Sequence, residues 1–206
     1  MAIPSIKARC AKCGNVSEVQ APGSVNVGTN PEMKEDVCSG RIFVWNCPEC
    51  GTANLARWPF LYHDPQQRLM LWLSDGNAST EARMVSAIAA QEGLGGYTMR
   101  IVDTPGDLIE KISIFDAGLD DIAVELSKFV TRQELGKDVA LRFWRIEGAD
   151  HEITLAYPEN SQMQMVQIGF NVYEDSAAIV RRNPSLAEAA KGLVRIDRDW
   201  LERFIA

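Results

Sequence analysis

The chain has 206 residues, with 21 Lys and Arg against 28 Asp and Glu and a formal net charge of -7. A composition of 46% hydrophobic and 24% charged residues is that of a globular chain and excludes a disordered or fibrous one. The acidic balance argues against wholesale binding to a polyanion, and no segment reverses it. Residues 1–65 carry six basic and six acidic side chains, 66–150 carry nine and fourteen, and 151–206 carry six and eight.

In chain order, residues 5–20 alternate in polarity around Cys10 and Cys13, and 41–46 form a β-rich run leading into Cys47 and Cys50. A Gly/Pro/Asn-rich loop is expected over 21–36. Strands are expected over 53–58 and 69–73, with Tyr62-His63-Asp64-Pro65 as the turn between them. The 3.6-residue period predicts a helix over 81–91, followed by a strand over 97–102. Thr104-Pro105-Gly106-Asp107 reads as a capping box opening a helix that stops near Gly118. Asp120 and Asp121 open a second helix ending before Gly136, and the two make an αα-hairpin. The period then returns to two over 139–147, 153–157 and 163–172, a three-stranded meander whose first turn is Gly148-Ala149-Asp150. Helical patterns at 174–182, at 184–191 behind a Ser185/Glu188 capping box, and at 198–205 complete an α+β chain. A boundary near Gly136 divides it into domains 1–136 and 137–206.

The chemical signal is in the cysteines. Cys10/Cys13 and Cys47/Cys50 are two Cys-x-x-Cys pairs, each closed by a glycine, Gly14 and Gly51. Two such pairs brought together by hairpins supply the four thiolates of one tetrahedral zinc. The expected cofactor is therefore one structural Zn2+ with Cys10, Cys13, Cys47 and Cys50 as ligands, in an N-terminal zinc ribbon. A redox dithiol is the rival use of Cys-x-x-Cys, but such pairs sit at helix N-termini and these lie in β-type surroundings. Paired cysteines without a secretory leader or a long apolar run point to the cytoplasm.

Local strings resemble the bacterial CpXC family, which has no assigned activity. They are Arg9-Cys10-Ala11-Lys12-Cys13-Gly14, Cys47-Pro48-Glu49-Cys50-Gly51, and Pro59-Phe60-Leu61-Tyr62-His63-Asp64. Two more are Glu110-Lys111-Ile112 and Gly118-Leu119-Asp120-Asp121 through Glu125-Leu126-Lys128. Ala11 departs from the proline of the family's name and leaves both ligands in place. The resemblance implies a zinc-ribbon-like module and supplies no reaction.

Other features have plain structural readings. Cys38 reads as a half-buried hydrophobe and His151 as a solvent-facing residue at a strand start. Asp116, Asp120, Asp121 and Glu125 read as helix-capping acids, since the EF-hand spacing is absent. Glu110 and Lys111 read as a solvated pair, with pairing to Lys128 as the alternative. The five tryptophans read as core, and Arg142 and Arg145 beside Trp144 as a weak phosphate stripe. Gly93-Leu94-Gly95-Gly96 follows a helix and precedes a strand, the reverse of a dinucleotide loop, and no Gly-x-Ser-x-Gly or His-Glu-x-x-His occurs.

These residues favour a non-enzymatic cytoplasmic zinc protein, an interaction or regulatory module that presents a surface to an unidentified protein partner, with no catalytic residue assigned and a homo-oligomer compatible. One alternative is an enzyme with its site at Tyr62, His63 and Asp64. The other is a nucleic-acid-binding ribbon, which the charge opposes.

Overall fold

A computed structural model describes residues 4–91, 93–148 and 151–205. The chain divides into two compact units, Met1–Ile109 and Glu110–Ala206. In the first lie β1 (Ser5–Arg9), β2 (Val16–Gln20), β3 (Ser24–Asn26), α1 (Met33–Cys38), a 3-10 turn (Arg41–Phe43), β4 (Val44–Asn46), β5 (Ala53–Leu55), β6 (Phe60–Asp64), β7 (Leu69–Leu73), α2 (Ala78–Ala89), β8 (Thr98–Val102) and the start of α3 (Pro105–Asp116).

Two short antiparallel hairpins carry the cysteines. β1 pairs with β2 from Ser5↔Gln20 to Arg9↔Val16, and β4 with β5 from Val44↔Leu55 to Asn46↔Ala53. The larger sheet runs β8-β7-β6-β3. Its β6–β7 pair is antiparallel, whereas β3–β6 and β7–β8 are parallel, the latter joined through α2. All five residues of β7 (Leu-Met-Leu-Trp-Leu) are buried, as befits a strand covered on both faces. Phe43 packs on Trp58 and Phe60 with ring centroids 5.1 and 5.6 Å apart, and Trp58 Nε1 donates to the Pro22 carbonyl at 2.8 Å.

Two expectations change here. Residues 21–36 are not all loop, because β3 and the start of α1 lie within them; both are too short to show a period. Tyr62, His63 and Asp64 lie in β6, and the reversal falls on 65–68. Asp64 Oδ1 caps that reversal, accepting the Gln66 and Gln67 amides at 3.1 Å each. The Asp-Pro signal was therefore a turn signal for the residues after it.

Capping at the start of α3 follows the sequence. Thr104 Oγ1 accepts the Asp107 amide at 3.1 Å while Asp107 Oδ2 accepts the Thr104 amide at 3.0 Å, a reciprocal capping box opening α3.

The second unit holds the rest of α3, α4 (Asp121–Leu135), β9 (Arg142–Glu147), β10 (Glu152–Glu159), β11 (Gln162–Ile168), α5 (Phe170–Arg182), α6 (Pro184–Ala189), β12 (Leu193–Val194) and α7 (Arg198–Ile205). Asp120 Oδ1 accepts the Ile122 and Ala123 amides at 2.9 Å each and caps α4. The expected meander is present, in the order β11-β10-β9 and antiparallel throughout. Its expected turn residues Ala149 and Asp150 lie outside the described residues. One core layer joins the meander (Phe143, Ile153, Leu155, Tyr157) to Ile114, Leu119 and Val124. Another packs Ile122, Ala123 and Leu126 of α4 against α5, α6 and α7, through Ala177, Val180, Leu186, Trp200 and Leu201.

The sequence expectation sets its boundary near Gly136, whereas compaction divides at 109/110; the span between them holds most of α3 and all of α4, whose apolar stripe packs on C-terminal helices. A further correction concerns α6. Pro184 occupies its first turn and Asn183 its cap, with no side-chain cap hydrogen bond, so the Ser185/Glu188 box does not form. Four tryptophans are buried as expected, but Trp144 is 50% exposed. The β9–β10 register slips beside it, with Thr154 facing Arg145 and Leu155 facing Phe143, so Trp144 is the extra residue of a bulge.

Candidate metal centre

The two knuckles are the same turn built twice. In the first, the Gly14 amide donates to the Cys10 carbonyl at 3.0 Å and the Cys10 amide to the Asn15 carbonyl at 2.8 Å. In the second, the Gly51 amide donates to the Cys47 carbonyl and the Cys47 amide to the Thr52 carbonyl, both at 2.9 Å. Gly14 and Gly51 close these turns at φ of 76° and 68°, a left-handed conformation that an L side chain resists.

The four sulfurs converge, all lying within 4.8 Å of one another, with Cys10 and Cys47 buried. The Cys10 and Cys50 sulfurs are 3.6 Å apart, and those of Cys13 and Cys47 are 3.5 Å apart. A tetrahedral metal with bonds of about 2.3 Å to sulfur separates its ligands by about 3.8 Å, so the set fits one such ion. Both short contacts join one knuckle to the other, and neither pair opens a helix, unlike a redox dithiol.

The electrostatics differ from one sulfur to the next. The amide of Cys13, foremost among several donors, pulls the Cys10 thiol down to about 6, and Thr52, through its hydroxyl and then its amide, lowers Cys50. At Cys13 the Asn15 amide acts the same way, but the Cys47 sulfur and burial outweigh it and push the thiol up to about 12. Crowded sulfurs oppose one another's ionisation, and a divalent ion bound among them would let all four be thiolates.

Asn54 is the residue that spacing alone missed. Its Oδ1 accepts the Ala11 amide at 2.8 Å, and its Nδ2 donates to the Thr52 carbonyl at 2.7 Å and lies 3.6 Å from the Cys10 sulfur. Within β5 it sits between exposed Ala53 and Leu55 with its own side chain inward. An inward polar residue just after a knuckle was the available signal.

Strand alternation separates the residues of the enzyme alternative. Tyr62 and Asp64 point to the buried side of β6 while His63, between them, points to the other. Asp64 holds Lys34 at 3.6 Å as well as its two amides, whereas His63 Nε2 is 3.2 Å from the Tyr97 hydroxyl. Burial first, opposed by the charge of Asp64, lowers the His63 pKa below its ordinary value. The three side chains do not converge on a common point.

The family-like strings in α3 and α4 form a buried charge cluster instead of a solvated pair. Lys128 lies 2.5 Å from Glu110 and 2.7 Å from Glu125, and Lys111 lies 2.8 Å from Asp121. Glu110 also accepts the Phe143 amide at 2.6 Å, tying α3 to β9. Burial opposes the Lys128 ammonium, but Glu110 and Glu125 outweigh it and hold its pKa above the ordinary lysine value. The arginine stripe is engaged by acids: Arg142 stands 3.8 Å from Glu110 and Arg145 2.7 Å from Glu147. His151 is exposed, at φ 54°, one residue before β10. Cys38 is half-buried at the end of α1. Among the described residues no helix is long and apolar enough to cross a membrane.

A family model described as CpXC protein matches residues 8–128, a span containing both knuckles and the acid–lysine strings. No curated protein and no solved structure matches the chain.

Proposed function

The chain belongs to the CpXC family, and from that premise we propose that it is a non-enzymatic cytoplasmic protein in which one structural Zn2+ fixes a ribbon that docks on a protein partner. The observation that carries the reading is the convergence of four sulfurs from two like knuckles. Cys10, Cys13, Cys47 and Cys50 would hold the ion. With four protein thiolates around it, a tetrahedral ion has no open position for substrate or activated water. What the ion supplies is folding energy. Two-stranded hairpins are marginal alone, and structural zinc contributes on the order of 10 kcal/mol at neutral pH.

An exposed apolar pair supports the docking role. Val44 and Leu55 are cross-strand neighbours on the outer face of the β4–β5 hairpin, 45% and 76% exposed, while Trp45 and Asn54 fill its inner face. Exposed apolar side chains on a rigid hairpin suit a protein surface better than an acidic polymer.

The test is metal analysis of the purified chain, with Cys47→Ser and Leu55→Glu alongside. One zinc per chain is expected, lost with much of the thermal stability in Cys47→Ser and retained in Leu55→Glu. Substoichiometric zinc, or unchanged metal content and melting in Cys47→Ser, would sink the metal reading. Partner capture that survives Leu55→Glu would sink the docking face.

A further inference from the structure

The β9–β11 meander has two edges, β9 and β11, with β10 between them. An edge strand presents a row of backbone N–H and C=O groups that its one neighbour does not use, and such a row is a template for another strand. The two edges are treated in opposite ways. β9 (Arg-Phe-Trp-Arg-Ile-Glu) carries Arg142, Arg145 and Glu147, and the bulge at Trp144 breaks its register. Charge and a bulge are the devices that keep an edge from pairing.

β11 (Gln-Met-Gln-Met-Val-Gln-Ile) has neither. Its seven residues pair with β10 without a register shift, from Ile153↔Ile168 to Glu159↔Gln162, and include no charge and no proline. Among the described residues β11 pairs with no other strand. Met163 and Met165, which share one face of the sheet, are 54% and 51% exposed. An unbroken, uncharged edge with exposed methionines is suited to strand addition.

Charge and symmetry say which strand is added. Two copies of a chain with a net charge of -7 repel each other, and β11 is a stretch along which they meet without opposing like charges. The strand also fits its own image. Antiparallel pairing about a two-fold axis at Met165 is the one register that engages all seven residues. It sets Met165 on Met165, Met163 on Gln167, Gln164 on Val166 and Gln162 on Ile168 of the second copy, each couple on one face of the joined sheet.

We propose that β11 is a dimerisation edge: two copies of the chain pair their β11 strands antiparallel about Met165, joining two three-stranded sheets into one of six strands. A lone strand pair is smaller than the about 800 Å² per partner of a standard interface, so the dimer is reversible and depends on concentration. The edge is independent of the metal centre and of the Val44 and Leu55 face, and its failure would leave the zinc and docking readings untouched.

The test is sedimentation velocity of the full chain as purified, in low-salt buffer, at concentrations from about 1 μM to about 1 mM. A monomer–dimer equilibrium is expected. Met165→Lys and Met165→Glu each weaken it by about tenfold or more, because each sets like charges opposite one another across the two-fold. Mixing the two variants restores dimers as mixed pairs, since lysine then faces glutamate. Trp144→Glu, on the blunted edge, leaves the dissociation constant unchanged. Both positions are about half exposed, so the substitutions leave the core intact, and circular dichroism checks that each variant is folded. Four results would overturn the assignment: a monomer at every concentration, a Met165→Lys chain that dimerises like its parent, a mixture of folded variants that stays monomeric, or a dimer lost in Trp144→Glu.

Discussion

Asn54 grips the first knuckle from the second hairpin, accepting the Ala11 amide at 2.8 Å while its Nδ2 lies 3.6 Å from the Cys10 sulfur. One side chain thereby fixes the relative position of two cysteine pairs far apart in sequence. It also offers a donor to a sulfur that metal binding would make a thiolate, the role outer groups play around metal sites.

Asn54→Ala should therefore weaken metal retention by about 10- to 100-fold and lower stability by roughly 1–2 kcal/mol, through the lost amide partner and the lost sulfur contact. Asn54→Asp keeps the acceptor for Ala11 but sets a carboxylate beside the sulfur. It should retain metal less well than Asn54→Ala. Competition with a chromophoric chelator measures both, and equal retention by all three chains would remove Asn54 from the site.

Gly51→Ala separates backbone strain from packing. A methyl group at Gly51 meets no atom within 4 Å, so the cost is the left-handed backbone at φ 68° alone. A loss of about 1–2 kcal/mol is expected with metal content unchanged. Urea denaturation with parallel metal analysis checks it, and a larger loss accompanied by released metal would mean that the turn itself aims the sulfurs.

Much of this was legible in the sequence because it is local. A cysteine pair, a glycine after it, Thr104 with Asp107 and Asp120 before an apolar stripe each carry their meaning within a few residues. What was not legible depends on partners distant along the chain. Strand alternation marks β9 to β11, although the expected third strand over 163–172 runs into α5 at Phe170, and Tyr62 to Pro65 read as a turn because Asp64-Pro65 signals the reversal that begins just beyond β6. Glu110 and Lys111 look like any exposed helix pair until α4 supplies Lys128 and Asp121. Asn54 shows nothing until the first knuckle folds against it.

Lys128 carries the charge cluster, and removing it should be costly. Lys128→Met leaves Glu110 and Glu125, with side chains 10% and 7% exposed, without their shared cation. A loss of about 3–5 kcal/mol is expected at neutral pH. Because the folded Lys128 pKa is raised, its stabilisation is fully present below the unfolded lysine value near 10.4 and is lost only as pH rises through the higher folded value. The mutant should recover part of its deficit in acid, where the abandoned carboxylates take up protons. Denaturation of both chains between pH 5 and about 10 tests this, and a pH-independent deficit would mean packing, not charge, was lost.

His63 gives the sharpest test of whether β6 holds a general base. Burial lowers its pKa and Asp64 only partly opposes that, so NMR should show the ring titrating below about 6.5. The folded state then favours the neutral ring. Its contribution to stability is present above the unfolded value and is lost as pH falls through the folded one, and His63→Gln should flatten that acid-side decline. Asp64→Asn removes the opposing charge and should move the His63 titration further down, while loosening the reversal that Asp64 caps through Gln66 and Gln67. A carboxylate–histidine dyad gives the opposite sign of shift, because a hydrogen-bonded acid holds the imidazolium and raises its pKa. A His63 titration above the ordinary histidine range, restored to ordinary by Asp64→Asn, would therefore reopen the enzyme reading that the alternation of β6 disfavours.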